Sequence, residues 1–405
     1  MPDRSRPPLP DLTAPGTVLL DGPRLDADTG RRQALLFTDP VRVLRADRYG
    51  EVEGVLRQLD AALAEGDHVA GLLAYEAGYA LERFADRPVP DGPLAWFGVY
   101  GTPQTLTSDA LAASLPEADV SVDGLRYGLS RDAYRERVGR VLGHIREGDV
   151  YQINLTAPFT FRTDADGLRL YAALRSRQPV AYGAFLRLPD RDVASVSPEL
   201  FFRVDPGDPR EITARPMKGT APRGRSPEAD AALVATLLEG EKDRAENLMI
   251  VDLLRNDLSR VSLAGSVRVP SLFEAERYET LTQMTSTVRA DLRPDAGLGD
   301  VLRALFPCGS VVGAPKLRAQ EIIRQLEDRP RGAYCGAIGY AAPGDAGGLA
   351  SAAFNVAIRT AVVERGEGAR EGRYDVGSGI VWDSEADAEY DECLLKARVL
   401  TELAR

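Results

Sequence analysis

The sequence predicts an α+β fold with antiparallel strands. Short apolar runs bounded by turn residues, such as "LAWFGVY" at 94–100, have the length and composition of strands. Apolar residues at helical spacing predict amphipathic helices over residues 50–64 and 131–146. Residues 332–382 contain three β runs separated by the turns "PGDAGG" and "RGEGAREG", which predict an antiparallel meander.

The composition is that of a globular protein without a broad cationic face. The 405 residues are 44% hydrophobic and 27% charged, with a formal net charge of -11. Such a chain is poorly suited to coating nucleic acid or an anionic membrane. Cys308, Cys335 and Cys393 form no CxxC pair, and no apolar run approaches the ~18 residues of a membrane span. We therefore expect a cytoplasmic protein with reduced thiols.

The length alone allows two or three domains, and the chain offers one candidate linker. Residues 1–16 are rich in proline and polar residues, which predicts a flexible tail. Residues 101–124 are rich in Thr, Ser, Pro, Asp and Gly. This stretch separates an N-terminal region, 17–120, from a longer region, 121–405.

Two predicted helices each carry an acidic pair at i and i+3. Asp243 and Glu246 lie in "DRAENLMIVDLL", and Glu389 and Glu392 lie in "EYDECLLK", where Lys396 follows on the same face. Four such carboxylates could converge on one Mg²⁺, which prefers oxygen ligands. The alternative is that they are solvated charges in surface salt bridges.

Four further stretches could bind an anion or supply an acid. "FPCGSVVGAP" places glycines and Ser310 before a helix N-terminus, and "VGSGIVWD" offers a second glycine-rich turn, although both could be plain turns. Arg359 lies in an apolar β run, where a guanidinium needs a carboxylate partner from the protein or from a ligand. Glu199 follows the β run "ASVSP" and is a candidate general acid or an exposed turn residue.

Eight blocks in order between about Tyr127 and Leu403 resemble the chorismate-utilising enzymes, and among these component I of the aminodeoxychorismate synthases. The blocks are "GDVYQINLTAPF", "SPELFF", "RPMKGTAPRG", "DRAENLMIVDLLRNDLSRV", "YETLTQMTSTVRADL", "FPCGSVVGAPKLRAQEII", "FNVAIRT" and "DECLLKA". The N-terminal third is similar more loosely, through "LAYEAGYALE". The resemblance implies an α/β sandwich, in which two large antiparallel sheets flanked by helices form a single domain over 17–405.

The resemblance also implies a Mg²⁺-dependent chorismate site. By position, Glu246 and Glu392 match the principal metal ligands, and Asp243 and Glu389 match supporting ones. Arg359 and Lys396 match residues that bind carboxylates. Other matched parts of the substrate pocket are Gly219, Thr220, Ser310, Gly377, Ser378 and Gly379.

The activity implied by the resemblance depends on Lys218, which in isolation would be a surface lysine. A lysine in "PMKGT" is typical of aminodeoxychorismate synthases, where it adds to C2 of the ring while a glutamate matched by Glu199 protonates the departing C4 hydroxyl. Ammonia then attacks C4 and releases the lysine. Gln152 stands where water-using relatives carry a lysine base, which favours ammonia as the nucleophile.

The nearest alternative is component I of an anthranilate synthase, a family that resembles "PIAGT" at this block. Anthranilate synthases, and some aminodeoxychorismate synthases, carry a histidine near the place where this chain has Gln283. An alternative from another class is a protein that binds chorismate without turning it over. The chain has no GxCxG elbow around a cysteine. The resemblance therefore implies a separate glutamine amidotransferase subunit as the source of ammonia, in a pathway to 4-aminobenzoate and folate.

Overall fold

A computed structural model describes residues 11–25, 32–82, 84, 87–89, 91–277, 281–366 and 368–404. The strands are β1 (Val18–Leu25), β2 (Arg32–Phe37), β3 (Arg42–Ala46), β4 (His68–Leu73), β5 (Ala95–Tyr100), β6 (Gln104–Thr107), β7 (Asp123–Tyr127), β8 (Gln152–Thr163), β9 (Tyr182–Arg187), β10 (Arg191–Ser197), β11 (Leu200–Asp205), β12 (Glu211–Arg215), β13 (Met217–Pro222), β14 (Arg268–Arg277), β15 (Leu281–Asp291), β16 (Gly313–Ala314), β17 (Ala337–Pro343), β18 (Leu349–Val356), β19 (Thr360–Glu364) and β20 (Arg370–Ile380).

The helices have the following bounds: α1 (Val52–Ala64), α2 (Ala77–Leu81), α3 (Ser108–Ser114), α4 (Arg131–Arg146), α5 (Gly167–Arg177), α6 (Pro227–Glu239), α7 (Glu241–Ser259), α8 (Leu298–Leu305), α9 (Lys316–Leu326), α10 (Ala386–Lys396) and α11 (Arg398–Thr401). The two helices predicted from periodicity are α1 and α4. Ser130 begins α4 by accepting a hydrogen bond from the Ala133 amide, which satisfies one free donor of the first turn.

The described strands form two antiparallel sheets of ten strands each, as the sequence predicted. The first sheet has the order β16-β8-β20-β19-β10-β9-β1-β2-β6, and β7 also pairs with β8. The second has the order β13-β15-β12-β11-β18-β17-β4-β5-β3, and β14 also pairs with β15. Strands from the N-terminal region, 17–120, enter both sheets, because β1, β2 and β6 join the first and β3, β4 and β5 join the second.

The two sheets pack through one apolar layer, and helices cover other faces. Val18 and Leu20 of β1, Trp96 of β5 and Tyr340 of β17 belong to a buried cluster with members from both sheets. Leu19, between Val18 and Leu20, belongs instead to a larger cluster that includes the buried side of α1. Successive side chains of a strand point to opposite faces, so β1 is buried on both.

Three local predictions need correction. Residues 332–382 do not form one meander: β17 and β18 form a hairpin in the second sheet, whereas β19 and β20 form a hairpin in the first. The apolar run that looked like one strand is broken at 357–359, where Arg359 takes a φ of 52°. The predicted linker, 101–124, contains β6 and α3, and β6 pairs with β2.

The predicted tail is partly buried where it is described, at residues 11–16. Leu12 is buried, and the Tyr100 hydroxyl donates to the Gly16 carbonyl at 2.7 Å. Residues 1–10 lie outside the described residues. Among the helices in the described part of the chain, none combines the length and the apolar character needed to cross a membrane.

Candidate active site

Lys218 lies on a bulge at the end of the second sheet. β13 pairs with β15 through Met217 opposite Thr285 and Thr220 opposite Gln283, so one extra residue is inserted on the β13 side. Gly219 completes the bulge with a φ of 80°, a conformation that costs glycine little. A bulge turns a side chain away from the regular alternation of its strand, and here it turns the lysine toward the first sheet.

The Lys218 ammonium lies between strands of the two sheets. A Cβ atom placed on Gly379 of β20 would lie 3.1 Å from Lys218 Nζ and 2.8 Å from Gln152 Nε2. The lysine charge also opposes the increase in pKa that burial causes in Glu199 and Glu246, and it contributes with Lys396 to the lowered pKa of Glu392. The structure thus brings the predicted nucleophile, the predicted acid and two predicted metal ligands into one cluster.

Glu199 is a buried carboxyl in the short connection between β10 and β11. Its side chain is 3% exposed, and burial raises its pKa to about 7, against the opposing influence of Ser310, Lys218 and Lys396. Glu199 Oε1 has no hydrogen-bond partner among the described residues. A carboxyl in this state can hold a proton near neutral pH and has a free oxygen for a reacting group.

Gln152 begins β8 and presents a free amide to the same space. Its side chain is fully buried, yet neither Oε1 nor Nε2 has a hydrogen-bond partner in the described part of the chain. Most buried polar side chains are paired, so this amide is suited to a ligand. Its proximity to Gly379 places it beside Lys218.

Gly377, Ser378 and Gly379 lie inside β20, and the prediction of a turn there is wrong. All three pair with β8 in a regular register, Gly377 opposite Thr156 and Gly379 opposite Asn154. A Cβ on Gly377 would lie 2.7 Å from the Leu155 carbonyl oxygen, which explains the glycine by close strand approach. The Gly377 carbonyl accepts a hydrogen bond from Lys396 Nζ at 2.9 Å.

The four predicted metal ligands lie on two helices that pack beside these strands. α7 packs on β13 and β15 and carries Asp243 and Glu246, whereas α10 packs on β20 and carries Glu389 and Glu392. Burial raises the pKa of Glu246, and Glu389 and Asp243 add to that increase. Burial also raises the pKa of Asp243, with a further contribution from Glu392. The carboxylates therefore lie close enough to repel one another.

Two lysines partly neutralise this carboxylate cluster. Lys396 Nζ lies 2.6 Å from Glu392 Oε1, and Lys242 Nζ lies 3.6 Å from Glu389 Oε1. Although burial raises the pKa of Glu392, Lys396 together with Lys218 and Lys242 outweighs burial and holds that pKa below its usual range. Glu389 also accepts hydrogen bonds from Ser378 and from Ser384, the latter at 2.7 Å.

Glu389 is buried, Asp243 and Glu246 are half-buried and Glu392 is exposed, and their hard oxygen donors fit a divalent cation. No three of them, however, have ligand oxygens that all lie within 4.8 Å of one another. Among the described residues, His144, Glu147 and Asp149, elsewhere on the surface, do bring their ligand atoms within that distance. There, Asp149 is already paired with His144 at 2.8 Å and with Arg318 at 2.9 Å.

Lys242 was missed by sequence reasoning, although a signal was available. The chain has four lysines among its 50 Lys and Arg residues, at 218, 242, 316 and 396. Three of them carry charge into the carboxylate cluster, and Lys316 forms a buried pair with Asp257 at 2.6 Å. A chain that otherwise uses arginine places its lysines where a flexible ammonium is needed.

Arg359 lies in the connection between β18 and β19 rather than within a strand. Its guanidinium donates to Gln178 Oε1 at 3.1 Å, and no carboxylate of the described residues lies within 4 Å. Its charge reaches β20, where it opposes the increase in the pKa of Tyr374 caused by burial. The arginine therefore retains binding capacity for an anion beside β20.

The remaining predicted residues are placed as follows. Ser310 is buried in the turn before β16, with its hydroxyl acting on Glu199. Thr220 has an exposed side chain, and its strand partner Gln283 has a buried Oε1 with no partner among the described residues. Neither Thr220 nor Gln283 shares a hydrogen bond with the Lys218 cluster in the described part of the chain.

Comparison with known proteins identifies the family of this chain. The sequence profile of the chorismate-binding enzymes matches residues 19–402. The chain belongs to the chorismate-binding enzyme family. Its fold matches the crystal structure of anthranilate synthase component I from Streptococcus pneumoniae TIGR4 with a TM-score of 0.76 and 26% identity, over 93% of this chain and 94% of that one.

Curated relatives of this chorismate-binding enzyme include aminodeoxychorismate synthases. The protein of that name from Streptomyces pristinaespiralis is 43% identical over 284 residues, 70% of this chain and 38% of the relative. Aminodeoxychorismate synthase component 1 from Klebsiella aerogenes is 40% identical over 316 residues, 78% of this chain and 65% of the relative. The chain spans less than two thirds of these curated relatives.

Proposed function

We propose that this chorismate-binding enzyme is component I of an aminodeoxychorismate synthase. It converts chorismate and ammonia to 4-amino-4-deoxychorismate, the precursor of 4-aminobenzoate and folate. The observation that carries the proposal is the position of Lys218 Nζ, beside Gln152 and within electrostatic reach of Glu199, Glu246 and Glu392. Relatives of that name at 40–43% identity support the choice within the family.

The substrate is a dianion, and the site offers cationic groups for its two carboxylates. Arg359 has no carboxylate partner among the described residues, and Lys396 is bonded to the Gly377 carbonyl beside the cluster. Asp243, Glu246, Glu389 and Glu392 would hold Mg²⁺, which supplies positive charge that neutralises one carboxylate of the substrate. Binding at both ends fixes the ring between Lys218 and Glu199.

Lys218 and Glu199 then share the first chemical step. The neutral Lys218 amine forms a bond to C2 of the ring, the two conjugated ring double bonds shift from C1=C2 and C5=C6 to C1=C6 and C4=C5, and the C4–O bond breaks. Glu199, whose pKa is about 7, donates its proton to the departing oxygen, which leaves as water. Ammonia next bonds to C4, both double bonds shift back, and the C2–N bond breaks to release Lys218. The product retains its enolpyruvyl group.

We infer that the ammonia comes from glutamine through a second, amidotransferase component. The Klebsiella relative is named as component 1, which supports a two-component enzyme. Free ammonium should replace that component in vitro.

The second candidate function is that of an anthranilate synthase component I, favoured by the Streptococcus structure of that name. The two activities differ in product, because an anthranilate synthase eliminates pyruvate and forms an aromatic, fluorescent amine.

Product identification decides between these functions. The purified chain is incubated with chorismate, Mg²⁺ and ammonium, and the products are separated by chromatography and identified by mass spectrometry. 4-Amino-4-deoxychorismate without pyruvate release is the expected result. Anthranilate with pyruvate would favour the second candidate, and binding of chorismate without any product would indicate a non-catalytic binding protein.

A further inference from the structure

Strand β8, which begins at Gln152 in the candidate active site, lacks a partner strand among the described residues along part of one edge. β20 occupies one edge of β8 along most of its length, so β16 and β7 share the other edge. β16 pairs with Gln152 and Ile153, and β7 pairs from Phe159 onward. Between them, no strand of the described residues pairs with residues 154–157 along this edge.

A buried ion pair fills this gap in place of a strand. Glu327 Oε1 accepts hydrogen bonds from the Thr156 amide and hydroxyl, both at 2.9 Å. Arg331 NH2 donates to the Asn154 carbonyl at 2.7 Å. The two side chains bind each other through two contacts, Nε to Oε2 at 2.8 Å and NH2 to Oε1 at 2.7 Å. Backbone groups that would otherwise be unpaired are thereby satisfied.

The same guanidinium also holds the segment that carries Ser310. Arg331 NH1 donates to the Val311 carbonyl at 2.7 Å, and the Asn154 side-chain amide donates to that carbonyl at 3.2 Å. Ser310, next to Val311, acts on Glu199. Gln152, two residues before Asn154, lies beside Lys218. Arg331 therefore adds a side-chain link between the segments that carry Ser310 and Gln152, beside the main-chain bond from the Asn154 amide to the Val312 carbonyl at 2.8 Å.

The environment of Arg331 leaves it little freedom. Its side chain is 2% exposed, and the guanidinium carbon lies 4.4 Å from the centre of the Tyr75 ring. Its backbone amide donates to Glu76 Oε1 at 2.6 Å. Buried ion pairs are often no more stabilising than apolar side chains of similar volume, but apolar side chains could not bond three separate main-chain groups.

We propose that Glu327 and Arg331 are a positioning pair, which holds Gln152 and Ser310 in register against Lys218 and Glu199. Neither residue touches the substrate in this role. The inference rests on the proposed amination of chorismate and identifies residues outside the site that this reaction requires.

Two conservative variants test the pair. Arg331→Lys keeps the charge, but its three donors on one nitrogen cannot replace the four bonds that the guanidinium donates to the Val311 and Asn154 carbonyls and to Glu327. Glu327→Gln keeps the shape but removes the charge. A displacement of about 1 Å in catalytic groups can reduce a rate on the order of 100-fold, so we expect kcat to fall about 10- to 100-fold. We expect the Kd for chorismate with Mg²⁺, measured by equilibrium dialysis, to change less than about five-fold, because Arg359 and the metal ligands are untouched.

The matched control is Asp192→Asn, which weakens another buried pair. Asp192 lies 3.3 Å from Arg187 in the first sheet, and their contacts reach Thr13, Asp166 and Gly167 rather than the Lys218 cluster. We expect this control to lower the thermal midpoint while kcat stays within about three-fold of wild type. Hydrogen exchange of the full chain should increase at residues 152–156 and 309–312 in the two test variants and not in the control.

The outcomes separate the two proposals. Wild-type protein that forms no 4-amino-4-deoxychorismate would overturn the proposed function. An active wild type, with test variants that keep wild-type kcat while losing stability like the control, would overturn the positioning role alone. The role is supported if kcat falls, the Kd for chorismate stays nearly unchanged, and hydrogen exchange increases at residues 152–156 and 309–312.

Discussion

The ammonium of Lys242 lies 3.6 Å from the carboxylate of Glu389, although Lys242 precedes the predicted metal ligand Asp243 in sequence. The Lys242 side chain is 48% exposed and the Glu389 side chain 6%, so the lysine approaches a buried carboxylate from the solvent side. Lys242 charge also acts on Asp243, Glu246 and Glu392. A divalent cation bound by these carboxylates must therefore compete with this lysine.

Lys242→Met should consequently tighten Mg²⁺ binding. Removing one positive charge from the cluster lowers the repulsion that the incoming cation meets, and we expect Kd to fall about three- to ten-fold. Calorimetric titration of the substrate-free protein with Mg²⁺ measures this directly. Lys242→Arg keeps the charge and should behave as wild type, and Glu392→Gln should bind Mg²⁺ more weakly. Weaker binding by Lys242→Met would contradict the competition.

Lys218→Ala should separate binding from chemistry. The amine is lost, but Arg359, Lys396 and the carboxylate helices, which we propose to bind the substrate and metal, remain. If the proposed binding groups are correct, we expect amination to fall by about 1,000-fold or more, with the chorismate Kd changed less than about five-fold. Mass spectrometry of wild-type protein with chorismate and no ammonia should show a covalent adduct with the mass of chorismate less one water. Lys218→Ala should show none, and normal turnover by this variant would exclude a catalytic lysine.

The sequence predicted best those features that depend only on the spacing of neighbouring residues. The i and i+3 spacing placed Asp243 and Glu246 on one helix face, and the same spacing placed Glu389 and Glu392 on another. Their meeting could not be derived from spacing, because it depends on how α7 packs on β13 and α10 packs on β20. Long-range packing of this kind leaves no local signal, and the family resemblance supplied it instead.

The errors also have physical causes. Glycines usually indicate turns, but Gly377 is required inside β20, because a Cβ there would lie 2.7 Å from the Leu155 carbonyl oxygen. The apolar run through residues 349–363 looked like one strand, because nothing in its hydrophobicity reveals the left-handed conformation of Arg359. The pair of Glu327 and Arg331 was invisible for a similar reason, since its role depends on a gap between β16 and β7.

Activity should decline as the pH rises through the pKa of Glu199. This carboxyl acts as an acid only when protonated, and burial raises its pKa to about 7. Its charged or polar neighbours are Ser310, Lys218 and Lys396. Cys308 lies beside them, and its pKa is raised by burial and by Glu199. We expect kcat to show an alkaline limb near pH 7 that is lost in Glu199→Gln, with a residual rate about 100- to 10,000-fold lower. Glu76→Gln is the control, since the Glu76 pKa is also raised to about 7 but its carboxyl bonds the Arg331 and Gly332 amides.

Stability should respond to the same carboxyl independently of activity. Folding raises the pKa of Glu199 from 4.5 to about 7. Between those pH values the carboxyl is ionised in the unfolded chain but still protonated in the folded protein, so the free energy of unfolding of the wild type decreases as the pH rises. The free energy of unfolding of Glu199→Gln, relative to wild type, should therefore rise between pH 4.5 and pH 7 and then level off. The rise should be at most about 3 kcal/mol. Denaturant titrations across this range measure it, and a difference independent of pH would contradict a buried, protonated acid.

Gly379→Ala should impair activity without impairing the fold. The added methyl would lie 2.8 Å from Gln152 Nε2 and 3.1 Å from Lys218 Nζ, so both side chains must move away from their positions. Both contacts are the ends of flexible side chains, and Gly379 lies within a regular strand without a positive φ. Replacing glycine by alanine also reduces the conformational entropy of the unfolded chain, which favours folding by about 0.4–1 kcal/mol. We therefore expect an unchanged or higher thermal midpoint together with a kcat about 10- to 100-fold lower.

Gly366→Ala, where an added Cβ meets no atom within 4 Å, should leave kcat unchanged. Wild-type kcat in Gly379→Ala would show that the lysine does not act from the position beside β20.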